Sequence, residues 1–233
     1  MTAQAIIVSH GQPSDPDPAE AKLAGFASDV ASLLPGWHVG SATLAKPGAL
    51  DLALEKAGRH PLIYPMFMTA GWFTGDELIK RLDDRQARVL PPLGLDPGLP
   101  GMAADLLRDV LRRKAWTAQE TRLFIAAHGS GRSRNSARDT QKFAKALAGL
   151  VPLAEMRVGF VEEPPYLADM AFNLGPCAIC LPFFAARGGH VVDDIPEALD
   201  LAEFQGVCLE PIGAASGVAT LVARALEVAR VNA

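Results

Sequence analysis

Ile6-Ile-Val-Ser-His10-Gly11 and Phe124-Ile-Ala-Ala-His128-Gly129 are the same short text written twice, 118 residues apart, and the fold is read outward from them. Three further landmarks keep that register. Leu33-Leu-Pro35 returns as Leu150-Val-Pro152, Leu62-Ile-Tyr-Pro65-Met-Phe67 as Ile179-Cys-Leu-Pro182-Phe-Phe184, and Leu90-Pro-Pro-Leu-Gly94 as Leu209-Glu-Pro-Ile-Gly213. Unrelated apolar strands do not hold a common offset to within two residues over so long a stretch. The chain therefore reads as a duplication, with a seam near Ala115 to Gln119 and halves at 1–116 and 117–233.

Each half alternates short apolar runs with longer amphipathic segments, the pattern of βαβ units and a mainly parallel sheet. In the second half, strands are expected at Thr121 to Ala127, Glu155 to Val161, Cys177 to Phe184 and Gly206 to Glu210. Helices are expected at Asn135 to Leu150, Tyr166 to Leu174 and Gly217 to Arg230. The runs Leu123 to Ala127 and Ala178 to Phe184 are apolar almost throughout, as strands covered on both faces must be. Ligands of such sheets bind beyond the carboxyl ends of the strands, where His128 and His190 both fall.

Composition bounds the function. The 233 residues are 49% hydrophobic and 21% charged, a globular balance with room for one large domain or two small ones. A net charge of −4 supplies no broad cationic surface for nucleic acid. No stretch is long and apolar enough to span a bilayer, and the N-terminus has no charged leader, so a cytoplasmic protein is expected. Cys177, Cys180 and Cys208 are too few, and odd in number, for a disulfide framework, and reduced thiols follow. Cys177-Ala-Ile-Cys180 has redox or metal spacing, yet it lies in a run that reads as a buried strand.

Three segments hold the candidate chemistry. His128-Gly129-Ser130-Gly131-Arg132-Ser133-Arg134 is a histidine at a strand end, then a glycine-rich turn, then a helix; such turns leave N–H groups free to receive anions. Arg132, Arg134, Arg138 and Lys142 cluster there, as an anion site or as a solvated basic helix face. In the first half His10 is kept, but the turn after it, Gln12 to Pro18, is acidic and proline-rich. In Arg187-Gly188-Gly189-His190 two glycines turn the chain sharply after a buried strand; the matching residue of the first half is Phe73. Phe160-Val161-Glu162-Glu163 closes the second strand with two carboxylates, where the first half has Leu44-Ala45-Lys46. Two histidines and a glutamate at three strand ends make an open nitrogen and oxygen ligand set for a divalent metal, and the imidazoles can also take protons near neutral pH. Ser9-His10-Gly11 lacks the arginine that precedes the histidine in histidine phosphatases, and His128-Gly-Ser-Gly131 is no nucleophile elbow, because His128 stands where the first glycine belongs.

Ala127-His128-Gly129-Ser130, Phe160-Val161-Glu162, and Pro182-Phe-Phe with Gly189-His190-Val-Val-Asp-Asp-Ile-Pro196 resemble the class II tetrapyrrole chelatases, specifically the sirohydrochlorin cobaltochelatase/ferrochelatase family (CbiX/SirB-like). That resemblance covers the whole length through the repeat. It implies an α/β protein of two similar three-layer halves, each a mainly parallel four-stranded sheet flanked by helices, facing each other across a cleft. It implies insertion of Co2+ or Fe2+ into sirohydrochlorin or a related tetrapyrrole, in cobalamin or siroheme biosynthesis, with the metal as substrate and no permanently bound cofactor. On the same ground His128 and His190 bind metal and assist deprotonation, Glu162 coordinates metal or moves protons, and Glu163 is the weaker alternative. Substrate contacts are expected from His10, Gly129, Ser130, Arg132, Arg134 and Arg187. An apolar wall is expected from Phe67, Met68, Trp72, Phe73, Phe183 and Phe184. With Phe73 and Ala45 in the first half, the one complete site falls in the second, and a monomer suffices. A non-catalytic metal or tetrapyrrole carrier using the same histidines, and a hydrolase using the His-Gly turns as an oxyanion site, are the competing readings.

Overall fold

The computed structural model describes residues 3–71, 77–82, 86–131 and 133–231. The first half forms β1 (Ala3–Ser9), α1 (Pro16–Ser32), β2 (Trp37–Thr43), α2 (Ala49–Ala57), β3 (Leu62–Pro65), α3 (Leu78–Leu82), β4 (Arg88–Val89) and α4 (Leu99–Lys114). The second forms β5 (Arg122–Ala127), α5 (Asn135–Leu150), β6 (Glu155–Phe160), α6 (Leu167–Ala171), β7 (Ala178–Phe183), α7 (Gly189–Val192), α8 (Asp194–Leu201), β8 (Val207–Cys208) and α9 (Val218–Val231). The sheets share one topology, β2-β1-β3-β4 and β6-β5-β7-β8, and among the described residues every strand pairing is parallel. This is the α/β architecture expected from the sequence.

Burial explains which runs became central strands. Ala5 to Val8 of β1 and Leu123 to Ala126 of β5 are fully buried, because helices cover both faces of each sheet. On α5, Ser136, Asp139, Thr140, Phe143, Ala144 and Leu147 are buried, a stripe at three- and four-residue spacing that faces the sheet. Phe143 meets Phe183 of β7 there, ring centroids 4.5 Å apart. The expected helix at Tyr166 to Leu174 is shorter, because Phe172 is extended and Asn173 has φ of +56°, which ends the turn. α7 and α8 were not anticipated between the third and fourth strands.

The compact units exchange helices relative to the seam in the sequence. One unit comprises Met1–Asp96 with Ser216–Ala233, the other Pro97–Ala215. In the first, α9 packs against α1 and β3, and Arg88 Nη1 donates to the Ala229 carbonyl at 2.9 Å. In the second, α4 packs against α5, with Arg108 Nη2 donating to the Leu150 carbonyl at 2.9 Å. The helix that closes each sequence half thus completes the layer over the other half's sheet.

The Leu-x-Pro-x-Gly landmarks have a steric cause. The Gly94 N–H donates to the Phe67 carbonyl at 3.0 Å and the Gly213 N–H to the Phe184 carbonyl at 2.9 Å. A Cβ on either glycine would run into the main chain of Met68 or Ala185. Only glycine permits this crossing, and in the second unit it pins the start of the loop leading to His190.

No described helix is long and apolar enough to cross a membrane. The three cysteines are free thiols. Cys180 lies buried on β7 in register with exposed Cys208 on β8, a neighbour relation that the Cys177/Cys180 spacing hid. A hydrogen bond between the two thiols, together with burial, pushes the Cys180 thiol up, and the same bond holds Cys208 below the usual range. Cys208 therefore carries more thiolate at neutral pH. Under iodoacetamide with the protein folded, mass spectrometry of peptides should show Cys208 alkylated well ahead of Cys180, with Cys180 reacting at a comparable rate only in denaturant.

Candidate functional site

β5, β6 and β7 end level with one another. Ala127, the last residue of β5, is in register with Phe160 and with Phe183, the last residues of its two neighbours. His128 is the next residue along, so its position is fixed by the sheet. Gly129 follows with φ of +71°, and a Cβ there would lie 2.8 Å from the Phe160 Cβ and 2.9 Å from the Glu163 Cγ. The turn is therefore closed against the exit of β6. Val161 and Glu162 N–H groups both donate to the His128 carbonyl, at 3.2 and 3.0 Å, which brings the Glu162 side chain beside the imidazole.

His128 Nδ1 lies 2.9 Å from the Gly129 carbonyl, which can only accept, so in the neutral ring this nitrogen carries the proton and Nε2 is the acceptor. Nε2 stands 3.9 Å from Glu162 Oε1, beyond hydrogen-bond length, with both side chains nearly half exposed. His190, on the short turn α7, has its ring 4.5 Å from that of His128 and nearly perpendicular to it. Its Nδ1 is 2.9 Å from Asp194 Oδ2. Phe184, buried, approaches both imidazoles, at 6.5 and 6.3 Å between centroids. The fold thus brings His128, His190 and Glu162 together. Among the described residues no group of three or more His, Cys, Asp or Glu side chains is arranged to hold a metal ion as it stands.

The two glutamates separate by what they touch. Glu163 Oε1 accepts the Ser130 N–H at 2.8 Å, so the anion received by the glycine-rich turn is the protein's own carboxylate. Ser130 and Gly129 therefore build the turn, and Glu162 is the acid that faces His128. The basic cluster is partly neutralised as well: Arg138 Nε and Lys142 Nζ reach the buried Asp139 Oδ1 at 3.2 and 3.7 Å. Arg134 is exposed immediately before α5, Arg187 pairs with exposed Glu210 at 3.0 Å, and Arg132 lies outside the described residues.

Of the residues expected to form an apolar wall, Phe183 is a core residue. Phe183 is buried against Phe143, inside the core, because consecutive strand residues point to opposite faces. Phe67 packs on the core of the first unit, Met68 is partly buried, and Trp72 and Phe73 lie outside the described residues. Phe184 is left as the aromatic contact of the histidines. Asp194 went unread although its spacing from His190, one helical turn, was visible; with no helix expected there, the spacing carried no signal.

The first unit keeps the frame without the acid. His10 Nδ1 is 3.0 Å from the Gly11 carbonyl, Gly11 has φ of +78°, and Ala45 N–H donates to the His10 carbonyl at 2.8 Å. Ala45 stands where Glu162 stands in the second unit, and Lys46, at the place of Glu163, pairs with Asp17 at 3.0 Å.

Known proteins share this construction. The CbiX family model matches residues 122–229. The solved structure of CbiX, described as the terminal enzyme for biosynthesis of siroheme in denitrifying bacteria, is 44% identical, with 97% of this chain and 99% of that chain covered and a TM-score of 0.89. SirB from Bacillus subtilis with Fe3+ is 13% identical, with 97% and 95% covered and a TM-score of 0.77. The sirohydrochlorin chelatase SirB from Bacillus subtilis subspecies spizizenii, in complex with cobalt, is 15% identical, with 100% and 97% covered and a TM-score of 0.73. At those identities the two SirB structures share the fold alone. None of the curated proteins matches. The architecture is that of the class II chelatases. Within that class, the chain belongs to the CbiX family.

Because the Gly129 turn has no room for a side chain, Gly129→Ala should lower unfolding free energy by about 1–3 kcal/mol in urea titrations. Gly131→Ala, whose Cβ would lie 3.7 Å from the nearest heavy atom, the Glu162 carbonyl oxygen, should change it by less than about 1 kcal/mol.

Proposed function

We propose that this protein inserts a divalent metal, Co2+ or Fe2+, into sirohydrochlorin, as the chelation step of siroheme or cobalamin biosynthesis. The observation that carries the reading is the pair of imidazoles 4.5 Å apart with a carboxylate 3.9 Å from one of them, at the strand ends of a CbiX-family sheet. The 44% identity to an enzyme of siroheme biosynthesis favours that pathway.

Metal insertion sets two chemical demands. The pyrrole N–H protons must leave, and the ion must pass from protein atoms to ring nitrogens. A half-exposed set of few ligands suits the transfer, since a closed four-ligand cage would retain the ion. His128 Nε2, His190 Nε2 and Glu162 are the atoms assigned to hold the incoming metal and to receive protons from the macrocycle. Each insertion places one divalent ion in the ring and releases two protons, which leave through these side chains to solvent. Phe184 supplies an apolar floor beneath the imidazoles. Arg134 and Arg187 are assigned to substrate carboxylates, Arg187 by exchanging its exposed partner Glu210, and Arg132 remains assigned from sequence alone. His10, which lacks a matching acid, has a secondary role. The reading takes 1–116 as the half with the degenerate site and 117–233 as the half with the active one, in a cytoplasmic monomer that keeps no resident cofactor.

Purified protein with sirohydrochlorin and Co2+ or Fe2+, followed by absorbance, should show insertion well above the uncatalysed rate. His190→Ala should lower kcat by at least about 100-fold, the scale of losing a positioned base or ligand. His10→Ala should cost less than about 10-fold. Insertion at the background rate, with metal still bound, identifies a carrier instead; a larger loss in His10→Ala moves the site to the first half.

A further inference from the structure

We propose that Asp194 is a positioning residue for His190, fixing the tautomer and the ring plane in which His190 offers Nε2; this rests on the chelatase reading of the site. His190 needs such a device. α7 is four residues long, follows Gly188 and Gly189, and buries none of its residues. The imidazole is 41% exposed, and its ring contacts among the described residues are the perpendicular ring of His128 and the tilted ring of Phe184. Packing of that kind leaves a side chain free to rotate.

Asp194, by contrast, stands on a fixed element. It opens α8, whose Ile195 and Ala198 are buried in the same apolar cluster as Phe124 and Phe184. Helical hydrogen bonds flank the junction at Asp193, with Val192 N–H to the Gly188 carbonyl at 3.2 Å and Asp193 N–H to Gly189 at 2.8 Å on the α7 side and Glu197 N–H to Asp193 at 3.1 Å on the α8 side. His190 and Asp194 therefore share one face, a turn apart, with Nδ1 and Oδ2 separated by 2.9 Å. An ionised carboxylate only accepts, so the neutral His190 ring carries its proton on Nδ1 and offers Nε2 as the acceptor nitrogen. His128 reaches the same state through the Gly129 carbonyl. Two unlike devices thus give two like nitrogens, the arrangement that orients histidine ligands in metal sites.

The first half shows the acid without its histidine. Glu77, 117 residues before Asp194, stands in the half where Phe73 replaces His190, and its Oε1 is bound to Arg81 Nε at 2.6 Å. Asp194 has no arginine or lysine contact of that kind among the described ion pairs.

A carboxylate at the start of α8 also suits the helix dipole, so the test must move with His190 and not with helix stability. Asp194→Ser keeps a good helix-start residue that is too short to reach Nδ1, and Asp194→Glu keeps the carboxylate. In the full chain labelled with 15N-histidine, with the His190 signals identified by their loss in His190→Ala, multiple-bond 15N–1H correlation should report Nδ1–H in the parent protein. It should report a shift toward Nε2–H in Asp194→Ser. Calorimetric Co2+ affinity and kcat for insertion should fall about 10–100-fold in Asp194→Ser with KM for the tetrapyrrole within about twofold, and recover in part in Asp194→Glu. An unchanged His190 tautomer and unchanged Co2+ affinity in Asp194→Ser overturn the proposal. Absence of insertion by the parent protein, with the tautomer shift intact, removes the chelatase reading and leaves the positioning role standing.

Discussion

Parallel pairing of β5 between β6 and β7, with all three strands ending level, is the constraint on which the site depends. Strands of a parallel sheet leave it on the same side, so three chain exits emerge side by side within about 10 Å. The residues just past those exits inherit this proximity without any long-range contact being built for them. His128 follows directly, Glu162 comes two residues after its strand, and His190 arrives after the loop pinned by Gly213. The sheet is buried and the groups beyond its strand ends are partly exposed, so packing and solvent-facing chemistry occupy different layers of the same element.

Within that frame the protein's own carboxylates do different work. Glu163 receives the Ser130 N–H and closes the Gly129 turn, Asp194 holds His190, and Asp139 offsets two of the basic groups of α5. Among the described residues Glu162 makes no such bond and stands 3.9 Å from His128. A half-exposed carboxylate outside hydrogen-bond contact with its neighbours keeps its oxygens accessible to an incoming ion. Comparison with the first unit sharpens the point. There the turn, the glycine and the histidine hydrogen bond persist, while the acids have become Ala45 and Lys46. The scaffold is thus separable from the chemistry it carries.

The fold was legible in the sequence because its signals are local and repeated. Apolar runs mark the buried strands, the stripe on α5 marks a sheet-facing helix, and the shared offsets tie the halves together. His128 and His190 were legible for the same reason, since each sits at a strand exit or a glycine turn. What escaped reading depends on contacts between distant segments. The division of labour between Glu162 and Glu163 turns on which carboxylate the Gly129 turn admits. Cys180 and Cys208 meet only through strand register, and α9 reaches the first unit by crossing the whole second half. Asp194 escaped for a smaller reason: Gly188, Gly189 and Pro196 around it read as loop, although proline is well tolerated in the first turn of a helix.

A site that must release its metal cannot be preorganised as a cage, yet groups that move freely cannot align with a rigid macrocycle. Under the proposed function, the arrangement meets both demands by holding the imidazoles through their Nδ1 atoms, which leaves Nε2 as the nitrogen that meets the ion. Each Nδ1 bond removes a rotational freedom that would otherwise be lost during the reaction, and so lowers the cost of reaching the reactive geometry. Neither bond supplies a further ligand to compete with the ring nitrogens. On that reading, coordination strength is set by a small number of oriented donors and not by enclosure, and the ion's final preference is left to the macrocycle.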